Sequence, residues 1–255
     1  MLLTIDIGNT NIVLGILKED EIIKTYRLSS RVLRTSDEYA LDIISLLNFD
    51  RIKKEEINDV VVSSVVPPLD PIIEKSIEKI FNKEPIFINF SMKLPIKIEI
   101  DNINELGIDR IVGSSMGYEI TKGSTVVVDF GTATTFDVIN KSGVFIGGAI
   151  APGILLSLES LISRTAKLPK VELMLPESPI GKNTVNAIQS GFLYGWSGIV
   201  EKVVEEIKKY LNDNVSVIIT GGASHFVLPL INFNYIYERD LVLKGLKLIY
   251  DLNKK

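Results

Sequence analysis

Two short stretches carry residues whose types and spacing suit chemistry. In the first, Asp6 and Ile7 lead into Gly8, Asn9, Thr10 and Asn11, between the apolar runs 2–7 and 11–17. In the second, Asp129 precedes Gly131, Thr132, Thr134 and Thr135, again between apolar runs. A plain hairpin needs turn formers but no acid. Gly8 permits φ > 0 and close approach of a ligand, and successive backbone N–H groups in such a turn can cradle an anion. Asn9, Thr10 and Asn11 add side-chain donors. Asp6 would repel a bare phosphate, so its place makes sense if Mg²⁺ lies between it and the phosphates, directly or through water. One such turn reads as a hairpin; two copies favour gripping a polyphosphate. A third cluster, Thr220-Gly221-Gly222, follows an apolar strand. It would admit a flat ligand such as adenine, or make a simple turn from strand to helix.

A different chemistry belongs to "ELGIDRIVGSSMGYEI", where Asp109 and Arg110 open a helical pattern. Asp109 suits a helix N-cap, and Arg110 an ordinary solvated charge. The same pair also suits catalysis: a carboxylate beside an alcohol takes its proton during phosphoryl transfer, and a guanidinium holds an anionic substrate group. Thr184 stands at the start of a long helical pattern and fits a cap on local grounds. Other chemistries are excluded. There are no cysteines and one histidine, His225, so thiolate sites and multi-histidine metal sites cannot form. Lys182 is followed by Asn183, which breaks the Walker A pattern, no G-x-G-x-x-G opens a helix, and no G-x-S-x-G nucleophile elbow occurs.

The elements that must position these residues follow from periodicity. Strands are expected at 2–7, 11–17 and 21–28. A helix follows in "TSDEYALDIISLLN", with Thr35 and Glu38 as its capping box. The valine-rich "DVVVSSV" reads as a buried strand that Pro67 and Pro68 end, opening a helix with Ile73, Ile77 and Ile80 on one face. "EPIFIN" and "IKIEI" read as short strands. From about residue 123 the order repeats: "STVVVDF", "ATTFDVIN" and "VFIGGAIAPG" as strands, the helix "ILLSLESLISRTA", a long helix over 184–211, the strand "VSVIIT" and a closing helix "LVLKGLKLIYDL". This predicts an α/β protein of two duplicated lobes with mixed sheets, 1–118 and 119–255, and a ligand cleft between them. The 255 residues suffice for two such cores. A net charge of −4 without a basic stripe gives nucleic acid no footprint. No apolar stretch reaches the ~18 residues of a membrane span, and an N-terminus carrying Asp6 does not suit a signal peptide, so the chain reads as cytoplasmic.

The ordered set "DIGNTN", "GIDR", "DFGTATTFDV", "GGAIAPG", "GKNT" and "TGG" resembles type III pantothenate kinase over essentially the whole chain. That family belongs to the actin–hexokinase–Hsp70 superfamily, whose lobes are ribonuclease H-like. The resemblance implies ATP-dependent phosphorylation of pantothenate to 4′-phosphopantothenate, the first step of coenzyme A synthesis. It implies ATP contacts from Asp6, Ile7, Gly8, Asn9, Thr10, Asn11, Gly131, Thr132 and Gly221, with Mg²⁺ beside Asp6. It places Gly107, Ile108, Asp109 and Arg110 at the pantothenate site, with Asp109 the catalytic base and Thr184 reaching in from a partner subunit. It assigns Asp129 to a required monovalent cation, K⁺ or NH₄⁺. It further implies a homodimer built on the glycine-bearing helix of Ala187–Gly198. Two departures stand out: Ile108 where the family often has Ala, and Ile100-Asp101-Asn102-Ile103 where it commonly has Tyr-Asp-Asn-Pro. The rival readings are a kinase for another small alcohol and a regulatory binding protein on the same scaffold.

Overall fold

The computed structural model describes residues 1–31 and 34–254. Its first sheet is assembled from β1 (Leu2–Ile7), β2 (Asn11–Lys18), β3 (Glu21–Ser29), β4 (Asp59–Ser64) and β5 (Ile86–Phe87), in the order β3-β2-β1-β4-β5. β1 runs antiparallel to β2 and parallel to β4. β1 and β4 lie inside the sheet and are buried along most of their length, and their apolar runs, Leu2–Leu3 with Ile5 and Val60–Val62, suit strands covered on both faces. Leu3, Ile5, Ile7, Val60 and Val62 form a core with α1 (Ser36–Phe49) and α2 (Asp70–Phe81). Local signals set the helix ends. Thr35 and Glu38 form the expected capping box, Pro67 and Pro68 open a 3₁₀ turn ahead of α2, and Asn82 closes α2 in the left-handed conformation at φ 52°.

The second sheet contains β6 (Lys97–Ile98), β7 (Thr125–Phe130), β8 (Ala133–Ile139), β9 (Val144–Pro152), β10 (Ser216–Thr220) and β11 (Ile236–Tyr237), ordered β11-β10-β7-β8-β9-β6. Both sheets are mixed, and β7–β8–β9 with β10 repeats the pattern of β1–β2–β3 with β4. "IKIEI" forms only the two-residue β6, whose parallel pairing with β9 puts it in the second sheet. α3 (Ile108–Thr121), α4 (Ile154–Ser163), α5 (Thr184–Leu211) and the short α6 (Ser224–Val227) follow in chain order. Val126, Val128, Phe130 and Phe136 pack with Ile154, Leu158, Leu193 and Val200 of α4 and α5.

The chain divides into two compact units, Met1–Ile96 with Asp101–Met116 and Leu241–Lys255, and Lys97–Ile100 with Gly117–Asp240. The division is not one cut near residue 118, because the closing helix α7 (Leu241–Asn253) belongs with the first unit. Leu241, Leu243, Leu246 and Ile249 of α7 are buried, and Tyr250 donates a 2.5 Å hydrogen bond to Asp59. Gly245 lets α7 lie against α3: a Cβ there would stand 2.3 Å from the carbonyl oxygen of Val112. No helix among the described residues is long and apolar enough to cross a membrane.

The contact at Gly245 yields a paired test. Gly245→Ala should destabilise the protein by about 1–3 kcal/mol, because backbone must move to admit the methyl group. Gly113→Ala on α3 meets only ordinary contacts at 3.7 and 3.8 Å, so the helix preference of alanine should leave it unchanged or up to ~1 kcal/mol more stable. Urea unfolding of both variants distinguishes the two; equal midpoints would contradict the close crossing.

Candidate active site

In the first unit the site is built on the end of β1. The turn from β1 to β2 closes with Gly8 N–H donating to the Asn11 carbonyl at 3.0 Å. Gly8 does not adopt positive φ; an added Cβ would instead press on that carbonyl at 3.3 Å. The glycine serves close approach here rather than a left-handed turn. Thr10 and Gly8 are half-buried, and Asn9 and Asn11 are exposed, so the turn presents its backbone and polar side chains to solvent. Asp6 pairs in register with Ser63 on parallel β4, and the Ser63 hydroxyl donates to Asp6 Oδ1 at 2.7 Å.

Asp109 lies in the first turn of α3, one residue past the helix start, so it is not the N-cap. Its Oδ1 accepts from the Arg110 N–H at 2.8 Å. Gly107 makes room for this: a Cβ there would stand 2.4 Å from Asp109 Oδ1 and 3.4 Å from Val65. Ile108 is buried and anchors the turn. The N-terminus of a helix favours negative charge, and so does the Arg110 N–H. Burial opposes both and wins, so the Asp109 carboxyl is raised above its usual range.

The fold brings Asp6 and Asp109 together from distant parts of the sequence. Asp6 keeps part of its surface in contact with water, but protein crowds its carboxyl. Burial, then the negative charge of Asp109, push it up to about 7, while the Ser63 hydrogen bond pulls the other way. Two close acids under partial burial form a place where a cation is favourable. No group of three or more acidic or histidine side chains with metal-site geometry occurs among the described residues. The two carboxylates suit Mg²⁺ carried by phosphates, since Mg²⁺ keeps water and takes one or two carboxylates alongside phosphate oxygens.

In the second unit Asp129 ends β7, half-buried, in register with Thr135 of β8 and Thr220 of β10. The following turn closes with Gly131 N–H donating to the Ala133 carbonyl at 3.0 Å, and Gly131 and Thr132 are exposed. Gly221 has φ +94°, and a Cβ there would stand 2.3 Å from Asp129 Oδ1 and 2.4 Å from the Phe130 nitrogen. Only glycine permits both that dihedral and that approach. The carboxylate thus rests against bare backbone. His225 shares a 3.0 Å hydrogen bond with the Gly222 carbonyl and lies on the Phe226 ring, a local structural role.

Thr184 is the first residue of α5 and is exposed. The cap that its position suggested is made by Asn183, whose side chain accepts from the Asn186 N–H at 2.9 Å. Gly181, Lys182, Asn183 and Thr184 line a cavity of about 640 Å³ together with Leu161 and Trp196. Phe192 stacks on Trp196 with ring centroids 5.6 Å apart. The residue that pattern reading missed is Ser63. Its signal was present in the two serines that end the valine run, opposite an Asp that ends the neighbouring strand.

The raised Asp6 carboxyl gives a signed pH dependence. Between about pH 4 and pH 7 the folded chain holds a proton at Asp6 that the unfolded chain has released. This stabilisation is fully present below the unfolded pKa and is lost as pH rises through about 7. Asp6→Asn removes it. In nucleotide-free protein the melting temperature of the variant minus that of the wild type should increase from pH 4 to pH 7 and then level off. A difference independent of pH would contradict the crowded carboxyl.

Sequence comparison adds the relatives. The family model for type III pantothenate kinase matches residues 2–206. The chain is 41% identical over 257 residues to the type III pantothenate kinase of Finegoldia magna, covering 100% of this chain and 98% of that one. It is 41% identical over 255 residues to that of Geobacter sulfurreducens, covering both chains in full. Among solved structures, a Baf family protein of Campylobacter jejuni described as a transcriptional activator superposes with a TM-score of 0.60 at 22% identity, over 98% of each chain. A polyphosphate/ATP-glucomannokinase of Arthrobacter shares the fold at a TM-score of 0.51 and 14% identity, over 98% of this chain and 97% of that one. With full-length identity near 41% and the family model spanning both acidic turns and the Gly107–Arg110 segment, this chain belongs to the type III pantothenate kinase family.

Proposed function

We propose that this chain transfers the γ-phosphoryl group of Mg·ATP to the primary hydroxyl of pantothenate, opening coenzyme A synthesis in the cytoplasm. The observation that carries the reading is Asp109, a shielded carboxylate at a helix start beside the Asp6 turn. Its raised pKa makes it a stronger base than a solvated aspartate. The pantothenate hydroxyl oxygen attacks the γ-phosphorus, its proton passes to Asp109, and ADP leaves. Arg110 suits the pantothenate carboxylate as a charged hydrogen-bond donor. Gly107 and Ile108 set the turn that holds the acid. Asp6 with residues 7–11 binds phosphates and their Mg²⁺; Gly131, Thr132 and Gly221 bind the nucleotide. Catalysis is then mainly positioning and charge neutralisation.

Asp129 is assigned to K⁺ or NH₄⁺, supported by its half-buried carboxylate near the end of a central strand, in the position that matches Asp6. When bound, such a cation would supply positive charge beside the Asp129 carboxylate. The active form is assigned as a homodimer in which Thr184 contacts pantothenate in the neighbouring subunit. Support comes from α5, where Gly191, Tyr194, Gly195 and Gly198 are exposed and no atom lies within 4 Å of a Cβ built on any of the three glycines. Leu155, Leu156, Ile180 and Val185 add exposed apolar surface on the second unit.

Asp109→Asn should lower turnover by about 10²–10⁴-fold while calorimetry shows Mg·ATP binding nearly unchanged. Gly107→Ala should fold, because the methyl group meets the movable end of a side chain, yet it should also lose turnover by displacing that carboxylate. A folded Asp109→Asn enzyme with more than about a tenth of normal turnover would remove Asp109 as the base.

Activity should require K⁺ or NH₄⁺ at fixed ionic strength, and Asp129→Ala should lose both the requirement and most activity. Light scattering should report a dimer. Full activity in Na⁺ alone would end the cation assignment, and a fully active monomer would end the shared site.

A further inference from the structure

Ser63 is fully buried near the end of β4, directly after three buried valines. A valine there would continue the apolar pattern and need no hydrogen bond, whereas a buried hydroxyl must find a partner. Its partner is Asp6 Oδ1 at 2.7 Å, reached straight across the parallel pair in which Asp6 faces Ser63. The register repeats in the second unit, where Thr220 of β10 faces Asp129. A hydroxyl on the neighbouring central strand therefore accompanies each acid, although Thr220 Oγ1 donates to the Arg239 carbonyl at 3.4 Å. One donor on Oδ1 restrains that oxygen toward β4 and limits how the Asp6 carboxylate can turn. It also holds the acid by a short bond without adding positive charge that would compete with a metal ion.

We propose that Ser63 is a positioning residue for Mg·nucleotide binding: its hydroxyl, through the bond to Asp6 Oδ1, orients the carboxylate that meets the metal–phosphate group. The proposal rests on the reading of Asp6 given above. It concerns nucleotide binding and not the proton transfer assigned to Asp109.

The test uses the full chain as wild type, Ser63→Ala, Ser63→Thr, Asp6→Asn and the Ser63→Ala/Asp6→Asn double variant. Calorimetric titration with Mg²⁺ and the non-hydrolysable analogue AMP-PNP is paired with steady-state kinetics, and urea midpoints establish folding. Loss of a hydrogen bond to a charged group should weaken Mg·AMP-PNP binding by about ten-fold in Ser63→Ala. The KM for Mg·ATP should rise similarly, with the KM for pantothenate within about two-fold of wild type. In the Asp6→Asn background, Ser63→Ala should add less than about two-fold, because the bond acts through Asp6. Ser63→Thr keeps the hydroxyl on a residue type that β10 accommodates at the matching register, and should restore most of the affinity. If Asp6→Asn weakens binding strongly while folded Ser63→Ala does not, or if the two losses add in full, Ser63 is only structural and the proposal is overturned. If Asp6→Asn itself leaves Mg·AMP-PNP binding intact, the phosphate-turn reading fails first, and the proposal fails with it. Should Ser63→Ala not fold, Ser63→Cys, with a far weaker donor of similar size, takes its place under the same criteria.

Discussion

The first unit is organised around an electrostatic conflict: two carboxyl groups, Asp6 and Asp109, share a partly shielded place. Burial alone raises both, and the charge of Asp109 raises Asp6 further, to about 7. A flexible loop would relieve this by turning one acid into water. Here neither can swing out without cost. Asp6 sits on a central strand whose neighbours Ile5 and Ile7 are fully buried, and Ser63 holds one oxygen. Asp109 is folded over Gly107 and bonded to the helix start. A fixed pair of acids in a low-dielectric setting stays unfavourable until positive charge arrives, which is the condition a site for Mg·nucleotide should meet.

The second unit repeats the frame and changes the details. Asp129 has the same place on its strand as Asp6, beside an antiparallel partner and a parallel one. Ile7 pairs with Ile12 but Phe130 pairs with Thr134, so the second turn is one residue shorter. Beside Asp129 lies the backbone of Gly221, where no side chain fits. A duplicated scaffold thus holds two acids in equivalent strand positions with different surroundings.

Much of this was legible because the signals are local. The capping box of Thr35 and Glu38, the prolines at 67 and 68, and the 184–211 helix each need only neighbours in sequence. The Asp-x-Gly turns were legible for the same reason, and their recurrence indicated duplication before any contact was known. What was misread locally was small and instructive. Thr184 looked like a cap until Asn183, with its side chain one residue earlier, took the N–H group. Asp109 looked like a cap, yet the helix begins before it. Gly8 could have served either φ > 0 or close approach, and it serves the second, while beside Asp129 a positive φ falls to Gly221.

By itself the sequence determined the elements, the α/β class, the duplicated strand order and the residues able to do phosphoryl chemistry, because periodicity, turn type and side-chain chemistry act over a few residues. Tertiary structure alone decided which of those residues meet. The register of β1 against β4 puts Ser63 on Asp6, and a shift of one residue would have turned Ser63 to the opposite face. The approach of α3 brings Asp109 into the field of Asp6, and the return of α7, with Gly245 against Val112, fixes where α3 can lie. The raised carboxyls arise from that packing as well. Burial and the distance between charges belong to the folded chain, and no spacing along the sequence encodes them.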